Sequence, residues 1–368
     1  MPCLGFFEDK TLNLSDFGWC VGSSLDLAFA PLAQAGFAVG RVVSEQRGAY
    51  RVYTQWGEQD AEVTGHFRHE VEDALGFPAV GDWVVVERQS TATAVIIHQV
   101  LPRRSQFVRQ AAGTLTTGQV IAANVDTVFL MSGLDGDFNL RRIERYLVTA
   151  WDSGASPVLI LNKADQCVDL SAAIAQVETV VIAVPIHVIS ATQGDGLDQL
   201  TPYLSPGKTV VLIGSSGVGK STLTNYLLGE QRAATQAVRV DDSRGRHTTT
   251  HRQLWPLPGG ALLIDTPGLR ELQLWSANTG LEETFGDIQA LADDCKFRDC
   301  QHQGEPGCAV QVAIAAGELT TARLQSYQKL QREQQWIEQR QDTQARLNTK
   351  RRWKQRSKTI RQHQKRKR

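Results

Sequence analysis

From Phe37 the chain runs through short segments in which apolar and polar residues often alternate: FAVGRVVSE, YRVYTQ, AEVTGHF, GDWVVVE and AVIIHQVLP. Alternation with a period of two, rich in Val, Tyr, Phe and Ile and broken by glycine-containing turns, is the pattern of half-buried strands. Five strands in such a short span predict a small barrel, with the OB-fold as the natural candidate. Past a small, polar connector at 110–120 the rhythm changes. VDTVFLM, PVLILNK, HVISA, TVVLIG and ALLID are continuous apolar runs, as expected of parallel strands buried on both faces. Helical spacing fills the intervals, as with Leu140, Ile143, Tyr146 and Leu147. Alternating strands and helices predict a mostly parallel sheet covered on both sides. Beyond about residue 280 the chain reads as helical and polar.

The predicted architecture is therefore multidomain and α/β. Residues 1–33 read as a weakly patterned N-terminal extension and 34–110 as an OB-fold β-barrel that binds RNA. Residues 111–278 read as a nucleotide-binding α/β domain, 279–340 as a helical metal-binding domain and 341–368 as a basic tail. Basic residues punctuate the barrel: Arg41, Arg47, Arg51, Arg68, Arg103, Arg104 and Arg109. They read either as an RNA surface or as ordinary surface charge.

Composition adds two constraints. With 42% hydrophobic and 21% charged residues in 368, the chain has the makings of packed cores rather than a disordered polymer. No stretch approaches the ~18 uninterrupted apolar residues of a membrane span, and the first residues lack the pattern of a signal peptide. A cytoplasmic protein with no membrane partner is expected. The net charge of +0 conceals an asymmetry: residues 350–368 hold eleven Lys or Arg and no acidic residue, leaving 28 basic against 39 acidic residues elsewhere. An acidic body with a basic tail fits a tethered contact to a polyanion.

Three strand ends carry chemistry. GSSGVGKST follows the strand TVVLI and fits the phosphate-loop pattern in its strand–loop–helix setting. Its residues are Gly214, Ser215, Ser216, Gly217, Val218, Gly219, Lys220, Ser221 and Thr222. The glycines let successive N–H groups turn inward on phosphate oxygens, Lys220 supplies a point charge, and the Ser221 hydroxyl can ligate Mg²⁺. DTPG places Asp265 at a strand end, where its carboxylate can hold Mg²⁺ and the Gly268 N–H can sense a γ-phosphate. NKAD contributes Asn162, Lys163 and Asp165. The Asp165 carboxylate can accept the paired N–H donors of guanine, which adenine does not offer. The Lys163 stem can lie over the base, and Ser190–Ala191 can contact the base oxygen. GTP is favoured over ATP.

The order of these motifs is rotated. NKAD and Ser190–Ala191 precede the phosphate loop, and RHTTT and DTPG follow it. Joining the usual termini and opening the chain elsewhere preserves a core, with residues 195–208 supplying the join. The chain therefore reads as a circularly permuted P-loop GTPase.

Cys295, Cys300, His302 and Cys308 are spaced C-x₄-C-x-H-x₅-C. Three thiolates and an imidazole in a loop of poor hydrophobic content suit one closed, structural Zn²⁺ site. Cys3, Cys20 and Cys167 read as plain thiols.

The permuted order together with GSSGVGKST, DDSRGRHTTTH, DTPGLRE and the cysteine cluster resembles the ribosome-small-subunit-dependent GTPase A family over residues 35–335. The resemblance implies an OB-fold, a permuted GTPase domain and a zinc domain. It also implies GTP hydrolysis stimulated by the small (30S) ribosomal subunit during its late maturation, with rRNA contact. Leu269 stands where many GTPases carry a water-orienting Gln. His247 in the RHTTT stretch is the candidate for that catalytic role, and one of Thr248, Thr249 or Thr250, represented by Thr249, is expected to ligate Mg²⁺ beside Ser221 and Asp265. Nothing in the sequence demands a dimer, so a monomer cycling between GTP and GDP is expected. The competing reading is a non-catalytic, GTP-gated RNA-binding module. A nucleotide kinase is disfavoured by NKAD, and a plain zinc protein leaves the nucleotide motifs unexplained.

Overall fold

The computed structural model describes residues 13–46, 48–71, 73–88, 94–110, 118–230, 252–265 and 278–340. The predicted basic tail lies outside the described residues.

The five predicted strands form: β1 (Ala38–Gln46), β2 (Ala49–Thr54), β3 (Gly57–Val63), β4 (Trp83–Arg88) and β5 (Val95–Val100). They close in the order β1-β2-β3-β5-β4-β1, with β3 and β5 parallel and the other pairs antiparallel. This is an OB-type barrel. AEVTGHF is strand only to Val63; Thr64 then caps the short helix α2 (Gly65–Glu70), its hydroxyl accepting from the Phe67 N–H at 2.8 Å.

Strands β1 and β4 do not show the simple in–out alternation of a half-solvated sheet, because both their faces are covered. Ala38, Val42, Val84 and Val86 fill the barrel, while Val39, Val43, Trp83 and Val85 point into the large core beneath it. Arg41 shares this second face. Read from sequence as part of a basic surface, it is instead buried, 1% exposed. Its guanidinium donates to the carbonyls of Phe17, Gly81 and Asn124 and to the Thr209 hydroxyl, tying barrel, N-terminal segment and α/β domain together. Burial pushes its pKa down to about 10, still well above neutrality. Arg103 is likewise structural, forming a two-pronged pair with the fully buried Asp82 at 2.7–2.8 Å.

The stretch read as an extension is structured from Asn13 onward. Phe17 stacks on Tyr53, Trp19 meets Trp83 edge to face, and helix α1 (Ser24–Gln34) buries Leu25 and Phe29. Only two of the eleven positions in α1 are buried, so its apolar periodicity is faint in the sequence.

The remaining strands are β6 (Gln106–Gln110), β7 (Gly118–Ala123), β8 (Thr127–Gly133), β9 (Ser156–Asn162), β10 (Ile186–Val188), β11 (Thr209–Gly214), β12 (Arg252–Pro256) and β13 (Leu262–Asp265). β10, β9, β8, β11 and β13 are parallel in that order, and β12 adds antiparallel to β13. Val128 and Leu130 face one core and Phe129 and Met131 the other, which is why the run is continuously apolar. Helices α3 (Leu140–Ser153), α4 (Leu170–Glu178) and α5 (Lys220–Leu228) accompany the sheet, and a 3-10 segment, Leu197–Tyr203, lies in the predicted join. Three strands were not anticipated. β6 and β7 pair antiparallel across the supposed connector, and β12 pairs with both β13 and β1. That last pairing makes barrel and α/β sheet one continuous eleven-stranded sheet.

The C-terminal unit comprises α6 (Asn278–Thr284), α7 (Gly286–Asp293), α8 (Ala309–Ala316) and the helical residues 321–340. Phe285, Ile288, Val310, Leu324 and Leu330 form its core, together with Val148 from α3. Arg323, 2% exposed, pairs with Asp287 at 2.6 and 2.8 Å and with Glu144 of α3 at 3.1 Å.

Candidate functional site

The phosphate loop joins β11 to α5. Gly214 ends the strand, and α5 begins at Lys220 with Gly219 at its N-cap, φ 105°. A Cβ on Gly219 would stand 2.2 Å from the Asn162 side-chain nitrogen, so both the positive φ and the close approach require glycine. The helix directs its first-turn N–H groups and its positive dipole end into the loop, the arrangement that binds phosphate. Lys220 Nζ donates to the Gly214 carbonyl at 2.6 Å and to that of Ser215, holding the ammonium against the loop. Ser215 donates to Asp137. Val218 is buried, which anchors the loop from below.

Asn162 links this loop to the base-reading elements. It is 2% exposed at the end of β9, its Nδ2 donates to the Val218 carbonyl at 2.8 Å, and its Oδ1 accepts from the Ala191 N–H at 3.0 Å. NKAD, the Ser190–Ala191 turn and the phosphate loop are thus brought together although they lie far apart in sequence. The Ser190 hydroxyl donates to Asp165 Oδ1 at 2.6 Å, which orients that carboxylate and leaves its second oxygen for a base donor. Lys163 has φ 67°, and its ammonium meets Asp135 Oδ2 at 2.5 Å.

Ser216 and Gly217 are exposed on the loop, and Ser221 and Thr222 lie half-buried in the first turn of α5. Asp265 is exposed at the end of β13, the strand beside β11. Ser221 and Asp265 are the described residues suited to Mg²⁺. His247, Thr249 and Gly268 lie outside the described residues. Asp135 and Asp137, in the loop after β8, escaped the sequence reading. Their signal was weak: DGD after an apolar strand matches no nucleotide motif, and the permutation separates it from the loop it touches by about eighty positions.

The second site lies between α7 and α8. The ligand atoms of Cys295, Cys300, His302 and Cys308 all lie within 4.8 Å of one another. Cys295 Sγ and Cys308 Sγ are 3.9 Å apart, and His302 Nδ1 is 3.7 and 3.5 Å from them. A tetrahedral zinc with bonds of ~2.3 Å to sulfur and ~2.0 Å to nitrogen requires edges of about 3.5–3.8 Å, so the residues fit one metal ion. Glu305 accepts from the backbone N–H groups of Gln301 at 2.9 Å and Gln303 at 2.7 Å and folds the loop around the cluster. All four ligands come from the protein, which is the arrangement of a structural site.

Comparison with known proteins agrees with this geometry. The RsgA GTPase family model matches residues 100–275. "Small ribosomal subunit biogenesis GTPase RsgA 2" of Lactiplantibacillus plantarum is 48% identical over 339 residues, covering 92% of this chain and 94% of the relative. The RsgA of Opitutus terrae is 48% identical over 352 residues, 93% and 95% of the two chains. Among solved structures, YjeQ from Thermotoga maritima aligns with a TM-score of 0.59 at 28% identity, covering 81% of this chain and 98% of that one. YloQ, described as a circularly permuted GTPase, gives 0.59 at 25% identity, with 83% and 96% coverage. Rotated motif order, an Asn162 that ties NKAD to the phosphate loop and near-full-length relatives all lead to one assignment: the chain belongs to the RsgA GTPase family.

Proposed function

We propose that this protein hydrolyses GTP as a switch in late maturation of the small ribosomal subunit, and that the subunit stimulates turnover. The observation that carries the reading is the joined site. Asn162 ties the base-reading turn to the phosphate loop, with Asp165 oriented by Ser190 to accept from guanine. The names of the relatives supply the small subunit as partner.

Residues 34–110, 111–278 and 279–340 act as barrel, GTPase and metal-bearing units. The barrel and the basic tail contact rRNA phosphates, and the acidic body limits indiscriminate binding. The metal is one structural Zn²⁺, favoured by three soft thiolates. Ser221, Thr249 and Asp265 hold Mg²⁺, which when bound neutralises charge on the phosphates. His247 orients the attacking water in place of the missing Gln. The protein works in the cytoplasm as a monomer; among the described residues no helix is long and apolar enough to cross a membrane.

Sedimentation with purified small subunits tests this reading. A non-hydrolysable GTP analogue should carry the protein into the subunit fraction, and GDP should release it. Equal recovery with both nucleotides would sink the switch. His247→Ala should sediment as wild type yet turn over GTP at least tenfold more slowly; unchanged turnover would remove His247 from the mechanism.

A further inference from the structure

The loop from Gly133 to Asp137 belongs to none of the nucleotide motifs, yet it touches two of them. Asp135 Oδ2 receives the Lys163 ammonium at 2.5 Å, and Asp135 Oδ1 accepts from the Asp137 N–H at 3.2 Å. Asp137 in turn accepts from Arg142 Nη1 at 2.6 Å and from the Ser215 hydroxyl of the phosphate loop. The carboxylate of Asp135 folds back over Gly133 so closely that a Cβ there would stand 2.6 Å from its Oδ1. The side chain is therefore held by two hydrogen bonds, one on each carboxylate oxygen, over a glycine that leaves room for it.

Lys163 is constrained from its other end. Its φ of 67° places a non-glycine residue in the left-handed region, a strained backbone conformation. Strain of this kind persists where the surroundings fix it, and it collects at ligand sites. Here the backbone aims the lysine stem and Asp135 fixes its tip. Pair members that are 19% and 25% exposed are partly shielded from water, so the contact exceeds an ordinary surface ion pair.

We propose that Asp135 is a positioning residue for the guanine nucleotide: it holds the Lys163 ammonium so that the aliphatic stem lies flat over the base. Asp137 anchors the same loop to Ser215, so the platform over the base keeps a fixed distance from the phosphates. Asp135 acts only through Lys163 and does not itself touch the nucleotide. This inference rests on the guanine-site reading above.

A double-mutant cycle tests it. Fluorescent GDP is titrated into wild type, Asp135→Asn, Lys163→Met and the double variant, with ADP competition alongside. Asp135→Asn should weaken GDP binding about tenfold, as expected for loss of a charge-assisted hydrogen bond. In the Lys163→Met background the same substitution should change affinity less than twofold. Full additivity would overturn the proposal, because an aspartate that merely braces its loop matters with or without the lysine. Wild-type affinity in Asp135→Asn would overturn it as well. Asp135→Ser provides a second variant if the first folds poorly, judged by thermal unfolding without nucleotide. Equal binding of ADP and GDP by the wild type would instead defeat the guanine reading, and the cycle would still report whether Asp135 acts through Lys163.

Discussion

The Asn162 amide serves two backbone groups, the Val218 carbonyl and the Ala191 N–H. Asn162→Ala leaves both without their partner in a buried site, a cost of about 1–3 kcal/mol per group. GDP affinity should fall more than tenfold and thermal stability should drop, as nucleotide titration and calorimetry would show. The residue's importance was legible in NKAD, but its partners were not, because they come from two other loops. The same holds for charge. Partial burial alone would raise the Asp137 carboxyl, but hydrogen bonds from Arg142 and Ser215 outweigh it and hold its pKa below the ordinary value. Burial is again the largest single influence on Asp135 and raises it, but the Lys163 ammonium and backbone N–H groups together hold its pKa below the ordinary value. Groups lowered on folding add stability above the unfolded carboxylate pKa of ~3.9 and lose it as pH falls through the folded value. Wild type should therefore lose thermal stability between about pH 5 and 3 more steeply than Asp137→Asn. Parallel profiles would show that these contacts contribute little. Arg41 teaches the converse lesson: an arginine in a basic series reads as surface until the face it shares with Val39 and Val43 is known to be covered.

At the scale of elements, the cysteine loop is the clearest case of sequence dictating structure. Four ligands within fourteen residues bring Cys295 and Cys308, at the two ends of the loop, within 3.9 Å of each other, with Cys308 at the N-cap of α8. The loop between them has few apolar residues, so the metal stands in for a core. Elemental analysis should find one zinc per chain, and Cys300→Ser should lose it. Stripping the metal should melt the C-terminal unit first while GDP affinity stays within threefold, because no ligand belongs to the nucleotide site. Loss of GDP binding on metal removal would contradict that separation. Most of β1 to β5 and the parallel strands were readable from alternation or near-continuous apolar runs, although β1, covered on both faces and carrying the buried Arg41, keeps neither strictly. β12 was not: RQLWP has one fully buried apolar residue, and its pairing with β1 is a tertiary event. The β6–β7 pairing was hidden for a similar reason, since a polar stretch lies between them.

Buried polar ties add to apolar packing in joining the units of the molecule. Arg41 binds the barrel to the start of β11, and Arg323 binds the C-terminal unit to α3. Arg323→Met would strand Asp287 and part of the Glu144 network, and breaking such a buried pair typically costs about 3–5 kcal/mol. Glu333, about 29% exposed in its pair with Arg145, should cost under about 1 kcal/mol when changed to Gln. Chemical denaturation of the two variants would test that ranking, and equal losses would contradict it. Such ties join the barrel and the metal-bearing unit to the GTPase sheet through buried contacts, and the proposed triggering by the small subunit would act through them. That claim is tested most directly by GTP turnover measured with and without purified small ribosomal subunits, with ATP in parallel. Slow GTP turnover alone, stimulation of at least tenfold by subunits and no comparable effect with ATP are expected. Turnover indifferent to the subunit, or stimulated equally for ATP, would contradict it.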